Sequence, residues 1–172
     1  MLDRDAKLIL GALSARGVCT PDELCAALGK SQPTLSRALA RLSGRVLVLG
    51  RGRATRYGLP KSIHHLTAQQ PVHWTDESGV ARRIGTLTLL AADIVHVDTS
   101  LVASTTAGTL PWYLSPLAAQ GFLGRLLAQR LADFGVGPTP ERWSLETTLF
   151  AARHLHDAPG ALTIGETEAA PP

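Results

Sequence analysis

Cysteine is nearly missing from this sequence: Cys19 and Cys25 are the only two among 172 residues. With no further Cys or His near them they do not make a zinc site. So few thiols fit a cytoplasmic chain in which both are reduced, small and half-buried. Long apolar runs are missing too. None approaches the roughly 20 residues that span a bilayer, so no membrane is expected as a partner. The N-terminus, Met1-Leu2-Asp3-Arg4-Asp5, carries charges of both signs where a signal peptide has its apolar core. Catalytic constellations are also wanting. Gly50 and Gly52 lack the strand and helix that flank a phosphate loop. No Asp/Asn pair has the spacing of a magnesium-holding catalytic loop. The six histidines form no arrangement with Ser and Asp. Adjacent His64-His65 point apart and read as linker, and His154 and His156 diverge at a helix end. No catalytic residue, metal ligand or cofactor is predicted, and the chain is not expected to be an enzyme by itself.

What is present is a charge asymmetry inside an ordinary globular composition, 45% hydrophobic and 18% charged. Residues 1–61 hold eleven Lys/Arg against four Asp/Glu, whereas residues 62–172 hold six against ten. A basic first third and an acidic remainder indicate two modules with different partners, of which the first suits phosphates.

Three helices are expected in the basic third. The first runs from about Arg4 to Ala15, with Leu8, Ile9, Ala12 and Leu13 as its buried stripe and Gly17 as its stop. The second opens on Thr20-Pro21-Asp22-Glu23: an N-cap threonine, a proline in the first turn and a glutamate able to reach back to the cap. Leu24, Ala27 and Leu28 face inward and Gly29 ends it. The third, Ser31–Leu42, is the stretch around which this region is organised. Ser31 is placed to cap its first turn and Pro33 is tolerated there. Leu35, Ala38, Leu39 and Leu42 form its apolar face, leaving Gln32, Arg37 and Arg41 on the other. Two short helices joined by a tight Gly-containing turn make a helix-turn-helix. Val46–Leu49 and Ala54–Leu59 then flank Gly50-Arg51-Gly52-Arg53 as a β-hairpin. An Arg/Gly tip also serves as a plain solvated turn. After this helix-turn-helix it reads as a wing whose Arg51, Arg53 and Arg56 touch phosphate or a minor groove.

Residues 20–59 resemble the winged helix-turn-helix of bacterial transcription regulators, and Ser31–Leu39 resembles repressor recognition helices with a T-V-S-R core. The resemblance implies that Gln32 and Arg37 read base edges, Arg to guanine and Gln to adenine, with Arg41 on the same face. It implies that Ser31, Thr34 and Ser36 hold phosphates. Pro33 stands where some relatives carry a base-reading side chain.

The second module opens with β signals: Val72–Thr75, a turn at Asp76–Gly79, a long run from Val80 to Leu90, and Asp93–Val97. A helix follows Gly121 with Leu123, Leu126, Leu127, Leu131 and Phe134 on one face, and another starts at Trp143-Ser144 with Glu146 in its positive first turn. Ala161–Gly165 is a last short strand, and Glu166–Pro172 reads as a frayed tail or a linker cut short.

The run Leu110-Pro111-Trp112-Tyr113-Leu114, Pro116 and Gln120-Gly121-Phe122-Leu123-Gly124-Arg125, with His156–Glu166, resembles the first N-terminal subdomain of HipA-type serine/threonine kinase toxins. Within that family it is similar to the YjjJ-like subgroup, which has a fused N-terminal helix-turn-helix. His156 and Pro159 depart from the family's usual residues. The fold implied is α+β: a winged helix-turn-helix over 1–60, a linker over 61–71, a small β-rich module with two to three helices over 72–166, and a tail over 167–172. The resemblance implies a DNA-binding antitoxin component of a toxin–antitoxin system. It would dock, in cis or in trans, on a HipA-like kinase core lying beyond this subdomain, and bind double-stranded operator DNA as a homodimer. Trp112, Tyr113, Gln120, Phe122 and Arg125 are the expected docking residues, aromatics beside an arginine. Trp112 and Phe122 have a second reading as fillers of their own core. Trp74 and Trp143 are assigned to core or element ends. Two alternatives stay open: a non-catalytic N-terminal fragment of a full-length HipA-like kinase, and a one-component regulator whose second module binds a small effector. The last predicts a closed apolar pocket with convergent polar groups, the docking readings an exposed apolar patch.

Overall fold

A computed structural model describes residues 3–64, 66–155 and 161–165. His65, His156 and Glu166–Pro172, on which some expectations fall, lie outside the described residues. The chain divides into two compact units, one within residues 1–61 plus 90–94, the other within 62–89 plus 95–172.

The first unit runs α1 (Arg4–Arg16), β1 (Val18–Cys19), α2 (Pro21–Leu28), α3 (Gln32–Arg41), β2 (Leu47–Leu49) and β3 (Arg56–Gly58). The strands form a small antiparallel sheet in the order β1-β3-β2. The start of α2 is fixed as its sequence requires. The Glu23 N–H donates to Thr20 Oγ1 at 3.2 Å, and the Thr20 N–H donates to Glu23 Oε2 at 2.7 Å. That backbone donation, joined by the Thr20 hydroxyl, holds the Glu23 carboxyl below its ordinary range. Ile9, Leu13, Leu24, Leu35 and Leu42 are fully or almost fully buried at the centre. Leu8 and Ala27, expected inside, are exposed; each lies at the margin of its helix's apolar stripe. Cys19 is buried, with its thiol pushed up by desolvation, and Cys25 is half-buried; both are free thiols.

The second unit holds β4 (Gln69–Thr75), β5 (Ala81–Leu90), β6 (Ile94–Thr99), β7 (Ala103–Ala107), α4 (Gly121–Arg130), α5 (Leu145–Arg153) and β8 (Leu162–Ile164). Its sheet has the order β7-β6-β5-β4-β8. β4 pairs antiparallel with β5 on one side and with β8 on the other, Val72 lying opposite both Gly85 and Ile164. Register shifts at Val72/His73, which leaves Ile84 as an extra residue on β5. Val72, Leu87, Leu89, Val95 and Val97 of the sheet pack with Leu114, Leu149 and Phe150 into one core.

Three expectations need correction here. Gln69–Pro71, read as linker, belong to β4, and Ile63 is fully buried in the second unit's core. The strand β7 has no counterpart in the sequence reading; Ala-Ser-Thr-Thr-Ala lacks the apolar alternation that would have marked it. The face of α4 is also rotated from the expected one. Gly124, Leu127, Ala128 and Leu131 are buried, while Leu123, Leu126 and Phe134 are exposed. The close approach at Gly124 sets this face: a Cβ there would fall 2.7 Å from the Ala119 carbonyl oxygen and 2.8 Å from Pro140 Cγ. The α-helix also stops at Arg130, so Phe134 is carried out of phase by a 3₁₀ turn at Ala132–Phe134.

Candidate functional site

The cationic surface of the first unit is built by α3 and the β2–β3 hairpin. Leu35 and Ala38 anchor α3 in the core, and Leu42 is buried at its end. Their burial turns Gln32, Pro33, Ser36, Arg37, Ala40 and Arg41 to solvent, with Thr34 half-buried. Ser31 does not cap as expected. Its backbone has the extended N-cap conformation, yet its hydroxyl takes no backbone N–H and lies 3.4 Å from Thr34 Oγ1. The reason is local. An N-cap side chain accepts from the second or third helical residue. Here the second is Pro33, which has no N–H, and the N–H of Thr34 is used by the Ser31 carbonyl at 3.0 Å. The exposed Ser31 hydroxyl is therefore engaged with the Thr34 hydroxyl and not with the backbone.

Two of the cations along this surface are already paired. Arg41 is bonded to Asp3, the N-cap of α1, and Lys30 lies 2.6 Å from Asp5, a largely buried carboxylate. Among the described residues Arg37 has no carboxylate partner, and it stands exposed as Gln32 and Ser36 do. On the hairpin, Arg51, Arg53 and Arg56 are all exposed. Gly50, at φ +70°, makes the turn possible, because a Cβ there would lie 2.6 Å from the Ala54 carbonyl oxygen. A 3₁₀ turn at Gly52–Ala54 then leads into β3. Arg45, exposed between α3 and β2, adds a cation that the helix-turn-helix motif does not contain; its basic charge beside the wing is the sequence signal for it.

Replacing Arg51 and Arg53 together by alanine is expected to reduce the steepness of log affinity for duplex DNA against log salt. Two lost phosphate contacts correspond to a slope change of about 2 at most. Binding titrations at several salt concentrations measure it, and an unaltered slope would take the wing off the DNA.

The second unit presents a different surface. Trp112 is 84% and Phe122 77% exposed, so neither fills the core of its own subdomain. Gln120 and Arg125 are exposed, and Tyr113 is half-buried with its hydroxyl 2.6 Å from Ser104 Oγ. Trp112 stands edge-on to Tyr113, with ring centroids 5.7 Å apart. Beside them two open apolar grooves of about 490 and 260 Å³ share Trp74, Trp112, Tyr113 and Leu162. Trp74, near the end of β4, is 42% exposed, and Leu101 and Val102 extend the same apolar lining. These three were not among the expected docking residues. The grooves are open and mostly apolar, unlike a closed pocket with convergent polar groups. His64 is held against α5 rather than standing in a free linker: its N–H donates to Glu146 Oε1 at 2.8 Å, and its ring meets Phe150 edge-on. Among the described residues no helix is long and apolar enough to cross a membrane.

Comparison with known proteins adds to this geometry. Residues 4–45 match the family described as bacterial regulatory protein, arsR family, which places a helix-turn-helix DNA-binding type over α1 to α3. Residues 66–170 match the family described as YjjJ-like toxin, middle domain. The chain is similar to the toxin YjjJ of Escherichia coli (strain K12), 32% identical over 145 residues, which cover 81% of this chain and 31% of that protein. The chain thus spans about a third of the length of that relative. No solved structure matches it. A regulator-type helix-turn-helix followed by this middle domain, with a relative 32% identical over 81% of the chain, places the chain in the YjjJ-like toxin family.

Proposed function

We propose that this chain is a DNA-binding regulatory component of a HipA-type toxin–antitoxin system, acting in the cytoplasm. The observation that carries the first half is the exposed face of α3, where Gln32, Ser36 and Arg37 stand clear of the unit's own carboxylates beside an arginine-bearing wing. On this reading Gln32 and Arg37 read bases in the major groove, Ser31, Thr34 and Ser36 hold phosphates, and Arg51, Arg53 and Arg56 add contacts from the wing. Arg41 contributes only where a phosphate replaces Asp3. The protein binds a palindromic operator as a homodimer.

The second half rests on the uncovered apolar surface around Trp112. On this reading Trp112, Tyr113, Gln120, Phe122 and Arg125 dock on a HipA-like kinase core, in trans as an antitoxin subunit, or in cis as the front of a longer kinase. The resemblance of residues 110–125 to the first HipA subdomain supports that partner. The exposed aromatics and the open grooves favour docking over a small-molecule effector.

Arg37→Ala is expected to weaken operator binding by about 1–3 kcal/mol and to relax specificity at one base pair. Titration against operator and random duplex checks this; equal losses on both would make Arg37 a phosphate contact. For the second half, a HipA-like kinase core is mixed with the tagged chain and with its Trp112→Ala variant. Retention of the core by the parent chain alone is expected. Equal retention, or none by either, would remove the docking surface.

A further inference from the structure

We infer that the outer edge of the five-stranded sheet is a self-pairing edge: β7 of one copy adds antiparallel to β7 of a second copy, about a two-fold axis through Thr105. β7 ends the strand order, and Ala103, Thr105 and Ala107 are exposed. The Thr99 N–H donates to the Val102 carbonyl at 3.0 Å, and His96 Nδ1 lies 2.9 Å from Thr105 Oγ1. Both contacts fit one hairpin register, with Thr105 opposite His96. Successive residues of an antiparallel strand direct their N–H and C=O groups to opposite sides. Those of Ser104 and Thr106 therefore serve β6, and those of Ala103, Thr105 and Ala107 face outward.

Such an edge is ordinarily blunted by charge, proline or a bulge. Neither charge nor proline is present in β7. Between Asp98 and Arg125 the sequence has no charged side chain at all, and no proline precedes Pro111 in that span. Depletion of charge across an exposed segment is the composition of an interface centre.

The sequence of the strand selects a second copy as the occupant. Ala-Ser-Thr-Thr-Ala is nearly the same read in reverse. An axis through Thr105 puts Ala103 opposite Ala107, Ser104 opposite Thr106, and Thr105 opposite its own copy. Every pair is then small with small or hydroxyl with hydroxyl, with no like charges facing. The same axis sets the outward-facing residues 103, 105 and 107 against 107, 105 and 103, so each free N–H meets a carbonyl. A slip by one residue would lose that match. In the chosen register Val102, 39% exposed, falls opposite Gly108, where there is room for it. The contact is isologous and closes at two copies. It rests on the operator reading only for its purpose, the supply of two winged helices to two half-sites.

Sedimentation of the full chain without DNA tests the proposal. The parent chain is expected to be a dimer. Thr105→Lys and Thr105→Glu are each expected to be monomeric at the same concentration, because the axis places the charge against its own copy. An equimolar mixture of the two is expected to dimerise again. Thr105→Val, which loses the bond to His96 but adds no charge, is expected to remain a dimer and separates loss of that bond from loss of the interface. A monomeric parent chain, a dimeric Thr105→Lys, or a mixture that stays monomeric would each overturn the assignment. Half-site DNA binding by the monomeric Thr105→Lys is measured alongside. Binding without a parent dimer would discard this edge and keep the operator reading; a parent dimer without binding would do the reverse.

Discussion

Gly85→Ala is expected to destabilise the second unit by about 3 kcal/mol or more, at the upper end of what one added methyl group does. The site is not a turn that needs an unusual backbone angle. It lies on β5 beside the extra residue Ile84, where β6 presses closest. A Cβ at this position would come 2.2 Å from the Asp98 carbonyl oxygen and 2.5 Å from Thr99 Cα. Both are main-chain atoms, so no side chain can swing away, and β6 must shift along its length. The Ser100 N–H bond to the Ile84 carbonyl, 2.9 Å, would be strained with it. Urea unfolding followed by tryptophan fluorescence is the measurement, since all three tryptophans lie in this unit. Gly11→Ala, followed by circular dichroism because the first unit has no tryptophan, is the control. It sits within α1 with nothing within 4 Å of the new Cβ, so it should stabilise the other unit by roughly 0.5–1 kcal/mol. A neutral Gly85→Ala would mean that β5 and β6 are not packed this closely.

Leu35→Ala is expected to cost about 2–5 kcal/mol, the range for emptying a well-packed leucine site. Leu35 is 1% exposed and sits among Ile9, Leu13, Leu24 and Leu42. A unit of this size has little stability in reserve. The loss should therefore melt it near room temperature and abolish DNA binding with it. The contrast with Arg37, two residues on, is informative: Arg37→Ala should leave the melting curve alone and change only affinity. Thermal unfolding by circular dichroism and DNA titration on both variants separate the two effects. Undiminished stability in Leu35→Ala would mean that α3 is not seated by this face.

The helices of the first unit were legible because their signals are local. Thr20 and Glu23 cap α2 through atoms three residues apart, and Leu35, Ala38 and Leu42 need only helical spacing to share a face. The Ser31 cap failed for an equally local reason, the missing N–H of Pro33, which could have been seen in advance. The wing was readable from Gly50 and the arginines around it. The pairing of Arg41 with Asp3 was not, because it joins residues 38 positions apart. In the second unit the long apolar strands announced themselves, whereas β7 owes its place to the hairpin it forms with β6. The face of α4 was misjudged because a glycine reads as weakness in a helix. Here Gly124 permits the closest packing, against Pro140 and the Ala119 carbonyl. The aromatics at Trp112 and Phe122 carry the same symbols whether buried or exposed, so only the folded chain shows them at the surface.

The sheet order sets a schedule for synthesis. β5, β6 and β7 follow β4 through short turns and can pair as they emerge. β4, however, receives its second neighbour only from β8, with Val72 and Ile164 about ninety residues apart. The first unit can thus be complete while β4 still offers a bare margin to other nascent chains. The three residues Leu162–Ile164 cover part of that margin and leave a much shorter edge, whereas a ribosome halted before them releases a sheet with all seven residues of β4 bare.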